Sequence, residues 1–497
     1  MSADSLARLG ERALPRLAQG VALPSSRPRH IGIVHLGLGA FHRGHQVEYT
    51  DDALLQDETA RDHWGICSVS LKTPGTRDSL APQQGLYTLV KKSRGGITRR
   101  IVGSLVEALF LGEERVALQA RMIATQTRIV SLTITEKGYG HDPATGRLDP
   151  AHPDIAADLS GGAPRSAVGL IVEALDARRR THGLPFTVLC CDNLPHNGRL
   201  VRGLVIDYAG RRDEALARWI ETAVGFPSTM VDRIVPATTA RDIEENDRAL
   251  GVHDAAAVVC EPFRQWVIED SFVAGRPRWE LAGAEIVADV APFEAMKLRL
   301  LNGSHSALAY LGRLAGHEFI YEVAGDQAFG AYMRKLMAEA VPTLQVPAAV
   351  DLVAYCDSLA ERFANPALPH RTRQVAMDGS QKLPQRLLAT IRENLVAGRP
   401  ITFLTLAVAG WMRYVHGRDE AGAAIEVADP MAARFAAIAQ AHGDDTAAFA
   451  HALMRIDAIF GTDLVQDARF TEPVIRWLTL LFARGAVATI AESQRTA

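Results

Sequence analysis

Four polar side chains with complementary chemistry lie in one short, otherwise apolar segment, EAMKLRLLNGSH, at positions 294–305. They are the carboxylate of Glu294, the amine of Lys297, the amide of Asn302 and the imidazole of His305. In an α-helix with about 100° per residue they would fall within an arc of about 140°, so all four could face one cleft. The combination indicates a site that oxidises an alcohol. A buried helix whose polar groups are satisfied by neighbours would carry the same residues.

Oxidising a secondary alcohol needs a base beside the oxygen and hydrogen-bond donors that hold the developing alkoxide. A lysine with a pKa of about 10.4 is mostly protonated at neutral pH, so its pKa must fall by roughly 3 units, at a cost of roughly 4 kcal/mol. Burial can supply that shift. In a regular helix Lys297 and His305 would lie about 12 Å apart along the axis, so either the lysine reaches toward a shared substrate or Gly303 loosens the helix. Glu294 could relay protons or could compensate the charge of Lys297.

The order of predicted elements indicates two domains, since 497 residues exceed what one core usually supports. From Ile31 to about Glu285, β-branched runs alternate with helical stretches, as in IGIVHLG, WGICSVSL, RIVSLTITE, FTVLCCDN and AAAVVCEP. This pattern is typical of an α/β fold, a Rossmann-type doubly wound, mostly parallel sheet. From Pro292 onward the sequence is rich in Ala and Leu at helical spacing. We therefore expect a dinucleotide-binding domain over 1–285 and a mainly α-helical substrate and catalytic domain over 286–497.

A glycine-rich turn, GLGAFHRG at 37–44, follows the first predicted strand and precedes a helix. A strand, such a turn and a helix start together supply the unpaired N–H groups that a pyrophosphate needs. Gly37 would permit the tight turn and Gly39 the close approach of the phosphate. His42 stands where a third glycine is usual, so the match is incomplete. The next strand ends near Ser70, Lys72 and Arg77 rather than an acid, which leaves NAD or NADP open.

Two further spacings suggest other chemistry. His42 and His45, with Asp51 and Asp52 nearby, invite a metal site, but their spacing is more typical of two residues on a helix near a phosphate site, and no metal is expected. Tyr87 and Lys91 have the Tyr-x-x-x-Lys spacing of short-chain dehydrogenases. The segment GLYTLVKK alternates like a strand, however, which would separate the two by about 13 Å.

Composition excludes several classes of protein. The chain is 48% hydrophobic and 22% charged with net charge −3, and its 54 basic and 57 acidic residues are interspersed, so no nucleic-acid partner is expected. Five sparse cysteines without a zinc pattern are typical of reduced thiols. The N-terminus has no apolar core of signal-peptide length, and no later segment offers about 18 uncharged apolar residues. We expect a cytoplasmic protein without a membrane partner.

Several motifs together resemble the mannitol dehydrogenase family, the long-chain polyol-specific dehydrogenases and uronate reductases. They are HLGLGAFHRGHQ, SLTITEKGYG, CDNLPHNG, FPSTMVDRIVP and KLRLLNGSHSALAYLG, and the resemblance runs from about residue 30 to beyond residue 480. The segments RFANPALPHRTRQVAMDGSQKLPQR and LAPQQGLYTL are most similar to the uronate reductases.

The resemblance implies a metal-independent, NAD(P)-linked oxidation of a secondary alcohol with a lysine as general acid/base. Lys297 would be that lysine, Asn193 and Asn302 would hold the reacting oxygen, and His305 would contact a neighbouring hydroxyl. Asn193, after the strand FTVLCCD, could instead cap a turn before Pro195. The residues expected to contact the cofactor, NAD with NADP not excluded, are Gly37, Gly39, Phe41, His42, Arg43, Ser70, Thr135, Glu136, Lys137 and Asp232.

Two charged segments bear on stability and substrate. We interpret Asp232 and Arg233 as an ion pair that stabilises a strand end rather than as catalytic groups. The segment 370–382 places several cations around one predicted turn, where a guanidinium could hold a substrate carboxylate. Lys382 is our first choice for substrate binding and Arg371 the second. A solvated basic loop would explain the same residues.

The expected reaction interconverts D-fructuronate and D-mannonate with NAD(H), in a monomer or weak homo-oligomer whose partner is a small sugar acid or polyol. Conversion of mannitol and fructose is the alternative. A nucleotide-binding sensor of sugar acids without turnover is a hypothesis from another class, against which the set Lys297, Asn302 and His305 argues. A zinc alcohol dehydrogenase is a third, which activity in the presence of a strong chelator would exclude.

Overall fold

The computed structural model describes residues 6–24, 27–142, 145–443 and 445–495 of the chain. The chain divides into two compact units, Met1–Ala291 and Pro292–Ala497.

The first unit is built on strands, five of them fully buried. Among its described residues they are β1 (Ile31–Leu36), β2 (Gly65–Ser70), β3 (Tyr87–Ser93), β4 (Gly96–Val102), β5 (Leu105–Phe110), β6 (Ile129–Leu132), β7 (Thr187–Cys190), β8 (Thr229–Asp232), β9 (Val258–Cys260), β10 (Gln265–Glu269) and β11 (Glu285–Val287). A five-stranded sheet has the order β5-β2-β1-β6-β7, and all its neighbouring strands are parallel. Every residue of β2, β6 and β7 is buried, as parallel strands covered on both faces require.

Two three-stranded sheets accompany the central one, with orders β4-β3-β9 and β11-β10-β8. The strand predicted around Tyr87 and Lys91 is confirmed as β3. The Tyr87 hydroxyl donates to the Arg43 carbonyl at 2.6 Å, whereas the Lys91 amine pairs with Glu48 at 2.6 Å. The two side chains therefore have separate partners and form no catalytic pair. The predicted domain boundary after residue 285 precedes the division at 291 because β11 pairs with β10 of the first unit.

Helices cover the central sheet of the first unit. They are α1 (Ala40–Gly44), α2 (Gln46–Gln56), α3 (Gly75–Leu80), α4 (Leu111–Ile123), α5 (Pro153–Leu159), α6 (Ala167–Thr181), α7 (Asn197–Gly210), α8 (Glu214–Ala223) and α9 (Ala240–Leu250), while α10 (Ala291–Met296) begins at the division between the units. Alternate residues of β1 enter two separate cores: Val34 and Leu36 pack in one with α4, α6 and α7, and Ile33 packs in the other with α2. This is the predicted doubly wound α/β arrangement.

The described part of the second unit contains helices and no strand, apart from two isolated bridges. The helices are α11 (Gly303–Leu314), α12 (Ile320–Gly325), α13 (Gln327–Ala340), α14 (Leu352–Phe363), α15 (Thr372–Val375), α16 (Gly379–Leu383), α17 (Ala389–Val396), α18 (Thr402–Val415), α19 (Ala432–His442), α20 (Thr446–Met454), α21 (Asp457–Phe460) and α22 (Ala468–Arg495). The predicted helical character is confirmed. The single turn predicted over 370–382 is instead two short helices, α15 and α16, joined at Asp378, which adopts φ 54°.

Two π-helical turns interrupt the helices of the second unit. The first, Lys297–Asn302, joins α10 to α11, and the second, Pro384–Leu388, joins α16 to α17. A Cβ atom added at Gly303 would lie 2.9 Å from the carbonyl oxygen of Arg386, so glycine allows the two backbones to approach closely at this point. π-Helical turns are rare and frequently occur at functional sites.

One helix, α22, is long and apolar enough to cross a membrane by length and composition alone. One of its faces is buried and includes Phe470, Trp477 and Leu481, whereas Arg476 and Arg484 interrupt its sequence. Gly485, with φ 77°, breaks its regular backbone. A helix that packs one face against a globular domain has the same features.

Candidate active site

The central sheet reverses its strand order at β1, which lies between β2 and β6. Ligands of such sheets bind at the carboxyl ends of the strands where this reversal occurs. Most of the residues predicted to contact the cofactor, and Asn193, lie at or after the ends of β1, β2, β6 and β7. The topology brings these strand ends to one edge of the sheet.

The turn after β1 is shaped for a phosphate. Gly37 adopts φ 112°, and a Cβ atom there would lie 2.0 Å from the carbonyl oxygen of Thr133, so only glycine fits. At Gly39 the nearest atom to an added Cβ is the Gly37 carbonyl oxygen at 3.9 Å, so the space beside this backbone is open. Gly39 caps α1 without a side-chain hydrogen bond to the first N–H groups. These residues fit a pyrophosphate and the dinucleotide that carries it.

Substituting Gly39 by alanine should separate dinucleotide binding from folding. The new Cβ clashes with no atom of the protein, so we expect the thermal unfolding midpoint to stay unchanged. It occupies the space beside the turn, however, so the Kd for NADH should rise about tenfold or more, a loss of about 1.4 kcal/mol of binding free energy. Fluorescence titration would measure it. Gly203→Ala on α7, where an added Cβ meets no atom within 4 Å, is the matched control. Unchanged NADH affinity in Gly39→Ala would contradict the assignment of this turn.

The side chains that follow the turn support it from inside the unit. The His42 ring is fully buried, stacks on His35 with centroids 3.4 Å apart and lies with Nε2 2.8 Å from the Ser68 hydroxyl. Burial, followed by the charges of neighbouring His35 and Arg43, holds the pKa of His42 well below its usual value. Arg43 donates to the carbonyl oxygens of Gly39 and Ala256. Nε2 of His42 and the Arg43 guanidinium thus have partners within the unit, and Phe41 stacks on His45 at 5.0 Å.

The cations beside the end of β2 are paired with carboxylates. The Lys72 amine contacts Asp154 at 2.7 Å, and Arg77 contacts Glu113 at 2.5 Å and Glu114 at 2.9 Å. Ser70, the last residue of β2, is buried. The positive charges that could have held a ribose phosphate therefore already have acidic partners within the unit.

Strained backbone follows β6, at the predicted positions Thr135, Glu136 and Lys137, which are exposed. Thr135 adopts φ 63° and ψ 160°, a conformation rarely accessible to residues other than glycine. Its N–H donates to the Asp192 carboxylate at 3.1 Å, as does that of Ile134 at 2.8 Å. Strain of this kind persists where the surroundings enforce it, commonly at functional sites.

Asp192 and Asn197, which the sequence did not single out, fix the backbone on either side of the exposed Asn193. Burial is the main influence that raises the pKa of Asp192, against hydrogen bonds from the Tyr139 hydroxyl and the two N–H groups after β6. Asn197 is fully buried and donates to the carbonyl oxygens of Asp192 at 2.9 Å and Thr229 at 2.8 Å. The polar run DNLPHN directly after a buried strand was the available signal. The role of Asn193 in holding the reacting oxygen stays a prediction.

The interpretation of Asp232 and Arg233 as an ion pair is wrong, because Arg233 pairs with a different acid. The Arg233 guanidinium is fully buried and pairs with Glu48 of α2, also fully buried, and it donates to the carbonyl oxygens of Glu261 and Gly44. Asp232, at the end of β8, is buried with 4% exposure. Asp232 ends β8 and Arg233 follows the strand, where its guanidinium reaches Glu48 rather than the adjacent acid.

In the second unit, the predicted catalytic residues lie on the first π turn and the start of α11. Lys297 is 8% and Asn302 7% exposed, and Glu294 is half-buried on α10. The i→i+5 hydrogen bonds of the π turn widen the helix between Lys297 and Asn302, so the positions expected from regular helical spacing are rotated. The helix is thus loosened before Gly303 and not at Gly303 itself. The loosening ends at Asn302, just before Gly303.

Two buried nitrogen atoms near this turn have no hydrogen-bond partner among the described residues. They are Nδ2 of Asn302 and Nε2 of His305. Buried polar atoms are nearly always satisfied in proteins, so both are available to the oxygen atoms of a ligand. The His305 ring stacks on Phe363 at 4.9 Å and contacts His370 at 5.1 Å.

Positive charge surrounds His305. Burial, followed by His370, Arg386, Arg362 and Lys382, holds the pKa of His305 well below its usual value. The imidazole is therefore neutral at neutral pH, with one nitrogen able to donate and the other able to accept a hydrogen bond. A neutral imidazole suits contact with a hydroxyl group.

The two predicted substrate-binding cations have different surroundings. Lys382 lies near His305, and its amine donates to the carbonyl oxygens of Met377 and Val375. Burial and the nearby Arg386 lower the pKa of Lys382. Arg371 instead pairs with Glu318 at the surface and lies over the Phe319 ring at 5.2 Å. The structure thus groups Lys382 with His305 and gives Arg371 an acidic partner.

No group of three or more His, Cys, Asp or Glu side chains that could hold a metal ion occurs in the described parts of the chain. All five cysteines are free thiols, of which Cys356 is half-buried and the others are buried. His45, the second histidine of the H-x-x-H spacing, lies with Nε2 2.9 Å from the carbonyl oxygen of Gln265.

Comparison with family models assigns both parts of the chain. Residues 31–281 match the mannitol dehydrogenase Rossmann domain, and residues 289–481 match the mannitol dehydrogenase C-terminal domain.

Relatives extend over nearly the whole chain. It is 50% identical to Escherichia coli D-mannonate oxidoreductase over 91% of this chain and 94% of that one. It is 41% identical to mannitol 2-dehydrogenase of Pyrenophora tritici-repentis over 95% of this chain and 84% of that one. Among solved structures, Pseudomonas fluorescens mannitol 2-dehydrogenase in ternary complex with NAD and D-mannitol superposes with a TM-score of 0.85, 37% identity and coverage of 99% of this chain and 100% of that one.

Proposed function

The chain belongs to the mannitol dehydrogenase family of oxidoreductases acting on CH–OH groups, and from that premise we propose that it interconverts D-fructuronate and D-mannonate with NAD(H). The observation that carries the proposal is the buried Lys297 on a π turn, followed by the unsatisfied amide of Asn302 and the unsatisfied imidazole nitrogen of His305. A base and two hydrogen-bond donors are what the oxidation of a secondary alcohol requires.

Each residue has a defined part in the proposed reaction. When bound, the nicotinamide supplies hydride to the ketone or accepts it from the alcohol. Lys297 takes the hydroxyl proton in oxidation and returns it in reduction, a role that requires the amine to be uncharged before oxidation. The Asn302 amide donates to the oxygen as its negative charge develops. His305 holds a neighbouring hydroxyl of the sugar chain, and Glu294 either relays the proton or compensates charge.

NAD is proposed over NADP because the cations near the end of β2 are already paired. A 2′-phosphate needs a cation, and both Lys72 and Arg77 contact acidic side chains. The solved relative with NAD bound supports the same choice.

A uronate is proposed over an uncharged ketose because of the cations around His305 and the 50% identity to D-mannonate oxidoreductase. Mannitol and fructose are the second candidates, which the solved relative complexed with D-mannitol favours.

Parallel assays of NADH and NADPH oxidation with D-fructuronate, D-tagaturonate and D-fructose would test the proposal. The highest kcat/KM is expected for D-fructuronate with NADH. A higher kcat/KM for D-fructose would favour the mannitol alternative. Absence of turnover with every ketose and ketouronate would favour a non-catalytic sensor.

A further inference from the structure

Arg386 is a partly buried cation in the second unit without an acidic partner among the described residues. Its Nη1 donates to the Ser306 hydroxyl at 3.0 Å. Burial lowers its pKa, and the group that opposes this is Tyr310, whose phenol is itself buried and neutral at physiological pH. Charges removed from water are normally paired, because an uncompensated one is costly. An anion from outside the chain would supply the missing partner.

The location of Arg386 indicates which anion it would bind. Ser306, its hydrogen-bond partner, directly follows His305, and the Arg386 carbonyl lies against Gly303 where the two π turns meet. Arg386 is also close enough to His305 to contribute to the lowering of that residue's pKa. The guanidinium therefore lies near His305, which is proposed to hold a hydroxyl of the sugar chain.

The two cations predicted from the sequence are less suited to bind a carboxylate. Arg371 already pairs with Glu318, and the Lys382 amine donates to two backbone carbonyl oxygens. The contact with Ser306 occupies a single donor of the Arg386 guanidinium, which has five. A guanidinium fork matches a carboxylate with two parallel hydrogen bonds.

We propose that Arg386 binds the carboxylate of the substrate and so determines the preference for uronates over uncharged ketoses. The inference rests on the proposed function and gives this role to Arg386 in place of Lys382 and Arg371, the first and second choices from the sequence. The Ser306 hydroxyl orients the guanidinium, so it is a positioning residue.

The test compares wild type, Arg386→Gln, Arg386→Lys and Ser306→Ala. For Arg386→Gln we expect the KM for D-fructuronate to rise about 10- to 100-fold, since a charged hydrogen-bonded pair is lost, with a much smaller change in kcat. Stabilisation of the cofactor-free protein by D-mannonate, measured as a thermal shift, should be lost as well. Arg386→Lys should recover part of the KM because it keeps the charge without the fork, and Ser306→Ala should have a smaller effect.

Arg334→Gln, in an exposed pair with Asp357, is the control for removing an arginine from this unit. If the wild type acts on D-fructuronate and Arg386→Gln has the same KM, the role of Arg386 is overturned while the proposed function stands. The same holds if Arg371→Gln raises the KM and Arg386→Gln does not. A wild-type enzyme that acts on D-fructose and on no uronate would instead overturn the proposed function, and this inference with it.

Discussion

Replacing Lys297 by alanine should lower kcat about 100- to 10,000-fold, the range that a positioned acid/base group contributes. The residue is 8% exposed on the first π turn, so bulk water has little access to replace it. Binding of NADH should persist, because the turn at Gly37 and Gly39 that fits the dinucleotide belongs to the other unit. Stopped-flow oxidation of NADH would measure the first quantity and fluorescence titration the second.

Lys335→Ala is the matched control. Lys335 lies on α13 in the same unit, with its amine 5.2 Å from the centroid of the Phe403 ring, and has no part in the proposed chemistry. Partial recovery of Lys297→Ala by added methylamine would support an amine acting as the base. Turnover near the wild-type rate in Lys297→Ala would show that the proton acceptor is another group.

Replacing Glu48 by glutamine should destabilise the protein by about 3–5 kcal/mol, the usual cost of breaking a buried ion pair. The Glu48 carboxylate is fully buried and contacts three cations: Arg233, Lys91 at 2.6 Å and Arg264 at 3.2 Å. Without the carboxylate, the fully buried Arg233 has no anionic partner among the residues that the structure describes. Urea denaturation at neutral pH would measure the loss. Glu214→Gln removes the acid of an exposed pair with Arg218 and should change stability by less than about 1 kcal/mol.

The difference between wild type and Glu48→Gln should depend on pH. The neighbouring cations overcome the effect of burial and lower the pKa of Glu48 to about 2, below its ordinary value of 4.5. The stabilisation is therefore fully present above pH 4.5 and is lost as the pH falls toward 2. A difference that stays constant across this window would show that the carboxylate charge is not what stabilises the native state.

Much of the fold follows from local patterns that the sequence displays directly. Continuous apolar β-branched runs identified β1, β2, β6 and β7, and the change to Ala- and Leu-rich periodicity at Pro292 coincides with the start of the second unit. The glycine at position 37 also predicted the turn after β1 correctly. In the structure this residue has φ 112° and an added Cβ would contact a neighbouring backbone, so it has to be glycine.

The sequence did not predict features that depend on long-range packing. Regular helical spacing cannot anticipate the π turn at Lys297–Asn302, which faces the second π turn around Arg386. Arg233 pairs with Glu48, far away in sequence, rather than with its neighbour Asp232. The role of Arg386 could not be predicted because its hydrogen-bond partner, Ser306, lies on a different helix.

Isotope transfer tests the central claim most directly. Wild-type protein would be incubated with D-fructuronate and NADH deuterated at the transferable position of the nicotinamide, and the product analysed by mass spectrometry and NMR. The account predicts D-mannonate that carries one deuterium on the carbon that was the ketone, in a one-to-one ratio with the NADH consumed. D-Mannonate without deuterium, or no product from D-fructuronate while D-fructose is reduced, would contradict it.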